Sequence, residues 1–252
     1  MGVLQKMFKV TKFKKGIKAK RVIVGLPGIA NVGKIAIDFM VESLKAEKVL
    51  EVESDSFPNS VFVNPENLVD LPKVVLYNHK DLMFLTGDVQ PLNEKDCYNF
   101  CEFLLDLLEE TKCSEIITLG GIGLPRIPKK VKVYVTGNDR KVVKEYGKEA
   151  SNEIFGVVGP IIGVTGLLIG LSVKRKIKGV SLLAQTYGHP SYLGIKGSRE
   201  LLDIINRKFK LKLNLNDLDK EIRELEKDFT EDAKIEKVKE EFVPGREMRY
   251  IG

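Results

Sequence analysis

Cysteine is scarce in this chain: Cys97, Cys101 and Cys113 are the only three among 252 residues. So small and odd a number excludes a disulfide framework and fits a reducing compartment, so a cytoplasmic location is expected. Histidine is scarcer still, with His79 and His189 alone. The usual zinc spacings need more donors than these, and no metal or other cofactor is expected. Cys97 and Cys101 fall at i, i+4 beside Phe100, Leu104, Leu105 and Leu108, the pattern of small apolar residues buried on one helix face. Acids are missing from the first 21 positions, which hold Lys6, Lys9, Lys12, Lys14, Lys15, Lys18, Lys20 and Arg21. Taking those eight from 41 cations leaves 33 against 35 acids, so the body is near −2 despite a formal net charge of +6. No basic stripe then remains on the body, and nucleic acid is not an expected partner. The basic run, interleaved with Phe8, Val10 and Phe13, reads as a solvated leader or an edge hairpin. It lacks the apolar core of a signal peptide. Residues 157–173 carry no charge, yet they fall short of the ~20 apolar residues of a membrane span and include Pro160 and four glycines.

What is present is alternation. Apolar runs bounded by turn residues predict strands over 21–26, 49–53, 60–63, 73–77, 82–86, 115–119, 131–135 and 179–184. Helical periodicity predicts helices over 31–44, 93–110, 139–153, 161–174 and 197–209. Strands alternating with helices of this length give an α/β protein whose mostly parallel sheet is covered on both faces. The strands between 49 and 86 have no helices between them, so that part of the sheet is expected to be antiparallel or mixed. Gly163, Gly166 and Gly170 recur at helical spacing and are expected to let a buried helix approach another backbone.

One loop has the residues of a phosphate cradle. Residues 28–34 fit G-x-x-x-x-G-K, with Gly28, Gly33 and Lys34 in place, after an apolar strand and before a helix carrying Val32, Ala36, Phe39, Met40 and Leu44 on one face. The hydroxyl that would hold magnesium is replaced by Ile35, and Asp88, the best Walker-B acid, lies beyond a Thr-Gly break. A tight strand-to-helix turn is therefore expected, with Asn31 as the helix cap and Gly33 allowing close packing. Gly120, Gly121 and Gly123 follow the strand at 115–119, where open sheets bind ligands, and read as a glycine turn. Asn138 or Asp139 is expected to cap the next helix. His189 stands in a loop without an orienting acid, and no nucleophile–base pair stands out.

From Asn214 the pattern changes. Leu215, Leu218, Ile222, Leu225 and Phe229 step by three and four along an otherwise charged helix, with Asn214 or Asn216 as N-cap and Asp219–Arg223 as an i, i+4 pair. The seam of Leu218, Ile222, Leu225 and Phe229 is a candidate subunit interface. Pro244-Gly245 ends any helix and leaves a mobile tail in which Met248, Tyr250, Ile251 and Gly252 form an apolar, partner-binding tip. The expected organisation is a basic segment (1–20), an α/β/α domain (21–213), a helical extension (214–241) and the tail (242–252).

Several of these motifs occur in a fixed order: the strand with Gly-Leu-Pro-Gly and Ala-Asn-Val-Gly over 21–34, Gly120–Gly123, Gly-Val-Thr-Gly-Leu-Leu-Ile over 163–169, 182–186, and His189-Pro190 ahead of Leu201-Leu202. That order resembles the proteasome assembly chaperone family, its archaeal homologues above all, over residues 20–228. The resemblance implies a three-layer α/β/α sandwich like that of nucleoside phosphorylases and hydrolases, generally without their catalytic residues. It also implies a non-enzymatic homo-oligomer, a tetramer or pentamer, that binds proteasome α subunits or a related protein client. Some such proteins end in a hydrophobic residue, Tyr, then any residue; here Arg249 precedes Tyr250, which is third from the end. Two readings compete: a nucleoside- or nucleotide-binding phosphorylase-like enzyme using 28–34 or 120–123, and an RNA-associated factor using the basic run.

Overall fold

The computed structural model describes residues 7–14, 16–156, 159–220 and 222–223. The chain divides into two units, residues 1–213 and 214–252. In the first, an eight-stranded sheet runs in the order β1 (Phe8–Lys12), β3 (Glu47–Ser54), β6 (Val74–His79), β7 (Leu82–Gly87), β2 (Arg21–Val24), β8 (Glu115–Leu124), β10 (Lys178–Tyr187), β9 (Val133–Gly137). The four strands β7, β2, β8 and β10 are parallel. Both flanks are antiparallel, through β1, β3, β6 and β7 on one side and β9 on the other. The mixed character expected between 49 and 86 thus belongs to one whole flank. Parallel strands need a crossover to reach their neighbours, whereas β6 and β7 are joined by a tight turn with Lys80 at φ 57°.

Helices α1 (Val32–Ser43) and α5 (Ile195–Phe209) pack on one face of the sheet, and α2 (Glu94–Glu110) and α4 (Val164–Ser172) pack on the other. The short α3 (Arg140–Tyr146) lies beside α5, where Lys208 Nζ sits 3.8 Å from the Tyr146 ring centre. This is a three-layer α/β/α sandwich. Covered on both sides, β7 is buried at every residue, which is why central strands read as continuous apolar runs.

Local signals set several helix ends. Asn93 accepts from the Asp96 N–H at 2.9 Å and starts α2. Asp139, not Asn138, caps α3, accepting from the N–H groups of Lys141 at 2.9 Å and Val142 at 3.0 Å, bonds that hold its carboxyl below the usual range. Asn138 instead splices the chain: its Nδ2 donates to Ser172 Oγ at 2.8 Å and the Ile177 carbonyl at 3.1 Å, while its Oδ1 accepts from the Gly179 N–H at 2.7 Å.

Four expectations change. The helix expected over 139–153 stops at Tyr146, because Ser151 pairs with β9, donating to the Val133 carbonyl and accepting from the Val135 N–H, each at 2.8 Å. The helix expected from 161 starts at Val164, after Gly163 at φ 82°. Along it, Gly166 does approach other backbone, since a Cβ there would run into the Ile161 carbonyl oxygen, but Gly170 faces open space. On α1 the buried face uses Ile37 with Val32, Ala36 and Met40, and leaves Phe39 and Leu44 half-buried. Finally, the basic N-terminal run enters the sheet as edge strand β1. Phe8 is buried there, stacked on Phe103 at 4.6 Å, while Lys9 and Lys12 keep the open edge charged.

In the second unit, residues 216–220 and 222–223 are helical. Asn214 supplies the cap, accepting from the Asn216 N–H at 3.1 Å, and Arg223 Nε donates to the Asp219 carbonyl at 2.9 Å. Of the heptad seam, Leu218 and Ile222 fall in this helix. Leu225, Phe229 and the whole tail, with Met248, Tyr250, Ile251 and Gly252, lie outside the described residues.

Candidate functional site

The turn at 28–34 is fastened to its surroundings through its carbonyls. A 3-10 turn, Ile29–Asn31, leads into α1 through two left-handed residues, Ala30 at φ 50° and Asn31 at φ 53°. Asn31 takes the N-cap position, yet its side chain makes no capping bond, so the expected Asn cap is replaced by backbone geometry. The turn's carbonyls are used internally. Pro27 O accepts from Gln90 Nε2 at 2.7 Å, Gly28 O from the Asn31 N–H at 3.0 Å, and Ala30 O from the Gly194 N–H at 2.8 Å. Ser198 Oγ donates to the Val32 carbonyl at 2.8 Å, so α5 grips the first turn of α1.

Lys34 does not reach into this turn. Its Nζ is 2.7 Å from Asp38 Oδ2, one helical turn on, and Asp38 Oδ1 also accepts from Thr86 Oγ1 at 2.6 Å. The Asp88 carboxylate accepts from the Lys73 N–H at 3.1 Å and closes the end of the β6–β7 ladder. Gly33 and Gly25 have the packing role expected of Gly33. A Cβ on Gly33 would lie 2.9 Å from the Leu119 carbonyl carbon, and one on Gly25 would lie 2.6 Å from Ile37 Cγ1.

Gly120, Gly121 and Gly123 form no turn. They lie inside β8, which runs on to Leu124 in register with β10, Gly120 opposite Leu183 and Gly123 opposite Thr186. Glycine is needed here because the 28–31 turn rests on the strand: a Cβ on Gly121 would stand 2.7 Å from the Ile29 carbonyl oxygen.

Between this turn, the end of β8 and the start of α4 lies a cavity of about 550 Å³, lined among others by Leu26, Ile29, Ile122, Pro160, Ile161 and Leu183. It sits at the carboxyl ends of parallel strands, where α/β sheets bind ligands. Its polar contributors are Gln90, Thr165 and backbone. Gln90 staples the walls together: besides its bond to Pro27 O, its Oε1 accepts from the Val164 N–H at 3.2 Å. A lone amide in a loop carries no signal in sequence, and Gln90 was not foreseen. None of the lining residues has an ionisable side chain. The cavity can hold a small molecule, but among the described residues its lining offers no ionisable side chain for general acid or base work.

The remaining candidates are dispersed. His189 stacks on Tyr187 at 5.5 Å, and its Nδ1 accepts from the Ser191 N–H at 3.3 Å. His79 lies at the other end of the sheet, beside Arg21 and Lys208. There Glu115 receives Arg21 Nε at 2.9 Å and Tyr146 Oη at 2.7 Å, a network that ties α3 to the sheet, and burial raises the Tyr146 hydroxyl. The three cysteines are free and buried. Burial pushes the Cys113 thiol up to about 11, and Cys101, hydrogen-bonded to Cys97, is raised as well, so neither is a ready nucleophile. Among the described residues no three His, Cys, Asp or Glu side chains converge on a metal position, and no helix is long and apolar enough to cross a membrane.

Lys34 paired to Asp38, with Ile35 where a magnesium-binding hydroxyl would stand, leads to a binding prediction. Calorimetric titration with magnesium-ATP or magnesium-GTP is expected to give no heat of binding for the full chain or for Lys34→Ala. Micromolar binding that Lys34→Ala abolishes would overturn this account of the turn.

The profile of the PAC2 family matches residues 22–232, which include the cavity and the sheet apart from its edge strand β1 and the first residue of β2. The chain belongs to the PAC2 family. Uncharacterized protein MJ1210 of Methanocaldococcus jannaschii is 28% identical over 241 residues, spanning 91% of each chain. PbaB of Pyrococcus furiosus, an archaeal proteasome activator, superimposes with a TM-score of 0.81 at 26% identity, over 90% of this PAC2 chain and 98% of PbaB. PbaA of the same organism, an archaeal homologue of proteasome-assembly chaperone, superimposes with a TM-score of 0.74 at 20% identity, over 92% and 95% of the two chains; it shows the shared fold.

Proposed function

We propose that this PAC2 protein is a non-enzymatic, homo-oligomeric chaperone-like adaptor that binds proteasome α subunits or a related client, with Met248, Tyr250, Ile251 and Gly252 as its binding tip. The observation that carries the proposal is the likeness to the proteasome activator PbaB over nearly the full length of both chains. The cavity supports it, since a phosphorylase-like reaction needs ionisable groups and none stands among the described lining residues. A tail carrying Tyr250 and Ile251 suits insertion into a pocket between partner subunits, where a buried aromatic anchor is worth ~2 kcal/mol or more. The seam of Leu218, Ile222, Leu225 and Phe229 is the proposed self-association surface of the helical extension.

The test is capture of proteasome core particles by immobilised full-length protein. Deleting 248–252 is expected to weaken capture by about thirty-fold, the equivalent of ~2 kcal/mol, while leaving the melting temperature and the oligomer unchanged. Equal capture with a lowered melting temperature would make the tip structural and end the tail proposal. A second reading, a nucleoside-binding protein of phosphorylase-like descent, is favoured by the position of the 550 Å³ cavity at the strand ends. Titration with unphosphorylated nucleosides tests it.

A further inference from the structure

A second cavity, of about 480 Å³, opens at the opposite end of the sheet from the 28–34 turn, where the parallel strands β2 and β7 begin. Its walls come from the β6–β7 turn, the start of β2, the end of α3 and the segment that follows α5. Five cations line it, Arg21, Lys80, Lys208, Lys210 and Lys212, against two carboxylates, Asp81 and Glu145. With His79 neutral the lining carries an excess of three positive charges, and Glu115, behind Arg21, lowers it only to two.

The inner part of this lining is already organised. Arg21 Nε donates to Glu115 at 2.9 Å, its Nη1 lies 3.5 Å from Asp81 Oδ2, and its guanidinium sits 5.4 Å from the Phe209 ring centre. Lys208 Nζ donates to Glu145 Oε1 at 2.6 Å over the Tyr146 ring, with 14% of its side chain exposed. Asn206 clamps the segment after α5. Its carbonyl accepts from the N–H groups of Lys210 and Leu211, its Oδ1 accepts from the Leu213 N–H at 3.0 Å, and its Nδ2 donates to the Leu213 carbonyl at 3.3 Å. Lys210 and Lys212 thus stand on a fixed backbone.

The outer part is unused. Lys80, Lys210 and Lys212 are exposed, and among the described residues none of them makes an ion pair or a side-chain hydrogen bond. The helix dipole accounts for basic residues in the last turn of α5, but Lys80 stands on a strand turn and Lys212 lies beyond the helix end. Like charges gathered in one concavity focus a positive potential that a counter-charge relieves. The three free ammonium groups are point charges, which suit a phosphoryl group; the flat fork that suits a carboxylate belongs to Arg21, and Glu115 already holds it. Each phosphoryl group brings a charge of about −1.5 to −2, so two of them match the excess. The volume falls within the ~300–1,000 Å³ of small-molecule sites, whereas a nucleic acid backbone is followed by a basic stripe, which the body lacks.

We propose that this cavity binds a small molecule carrying two or more phosphoryl groups and no magnesium. Arg21 and Lys208 form its fixed positive floor, with Lys80 on one side and Lys210 and Lys212 on the other to take the phosphoryl oxygens. A nucleotide wrapped around magnesium has little phosphate charge left to offer, so the silent titration expected above stands. The site is independent of the adaptor reading and survives its failure.

Calorimetric titration of the full chain with sodium tripolyphosphate, in magnesium-free buffer at about 150 mM salt, tests the proposal. One saturable, micromolar site is expected. Lys80→Gln/Lys212→Gln is expected to weaken it by about thirty-fold. The melting temperature of that variant without tripolyphosphate should match the wild type, since both side chains are exposed and unpaired. Lys129→Gln/Lys130→Gln, which removes the same charge from exposed positions elsewhere, is expected to leave the affinity unchanged. Citrate, a polycarboxylate with less charge per group, is expected to bind about ten-fold more weakly. The absence of saturable tripolyphosphate binding, or undiminished binding by Lys80→Gln/Lys212→Gln, overturns the proposal. Equal losses in the two lysine pairs overturn it as well, because the attraction is then diffuse. Citrate binding as tight as that of tripolyphosphate overturns the choice of phosphoryl groups and with it the proposal.

Discussion

Gly33→Ala is expected to destabilise the protein by about 3 kcal/mol and to lower its melting temperature by roughly 9 °C. The added methyl would stand 2.9 Å from the Leu119 carbonyl carbon and nearer still to its oxygen. Neither partner can give way cheaply. Leu119 is mid-strand in β8, paired to both β2 and β10 nearby, and Gly33 lies in the first turn of α1, which α5 holds through Ser198 and the Gly194 N–H. Backbone against backbone has no rotamer to relax into, so the strain spreads into the α1–sheet packing. Gly170→Ala provides the opposite case. It lies exposed inside α4 with nothing within 4 Å of a new Cβ, so the change is expected to stabilise by up to about 1 kcal/mol through helix propensity. Thermal melts of the two variants therefore shift in opposite directions. A Gly33→Ala loss under about 1 kcal/mol would mean that α1 can slide along the sheet.

Phe100→Ala is expected to cost about 4 kcal/mol, near the upper range for opening a cavity in a packed core. Phe100 is fully buried on α2, with Phe8 of β1 and Phe57 each 5.6 Å away, the second edge-on. Removing the ring leaves both neighbours facing a void. Phe8→Ala empties the same space from the other side, so the double variant should lose less than the sum of the singles. Chemical denaturation of the three variants measures this coupling. Additive losses would show that β1 docks independently of α2, contrary to the shared aromatic cluster.

How much of this was legible in the sequence depended on the range of the interactions involved. Amino-acid periodicity and capping chemistry act within four residues, and they sufficed for the α/β class, the central apolar strands, the helix start at Asn93 and the role of Gly33. Ile35 in place of a hydroxyl was also plain from residue types alone. The separate hairpin of β4 (Phe62–Val63) and β5 (Val69–Asp70) left a partial trace, Asn64-Pro65 between two apolar runs, but the exposure of those runs is no property of a residue in isolation. Other features needed partners far along the chain. Gly120–Gly123 continues a strand because the Ile29 carbonyl presses on Gly121 and β10 pairs beside it. The helix after Asp139 stops short because Ser151 bonds to β9, and the basic N-terminal run becomes a strand because Phe8 finds Phe100 and Phe103 in α2. Lys34 is turned from the glycine loop by Asp38, itself held by Thr86 on β7. The sequence by itself determined most of the strand and helix segments and the missing hydroxyl at position 35; the tertiary structure decided where those segments begin, end and touch, because ladders and cores are made by residues whose separation in the chain no local pattern records.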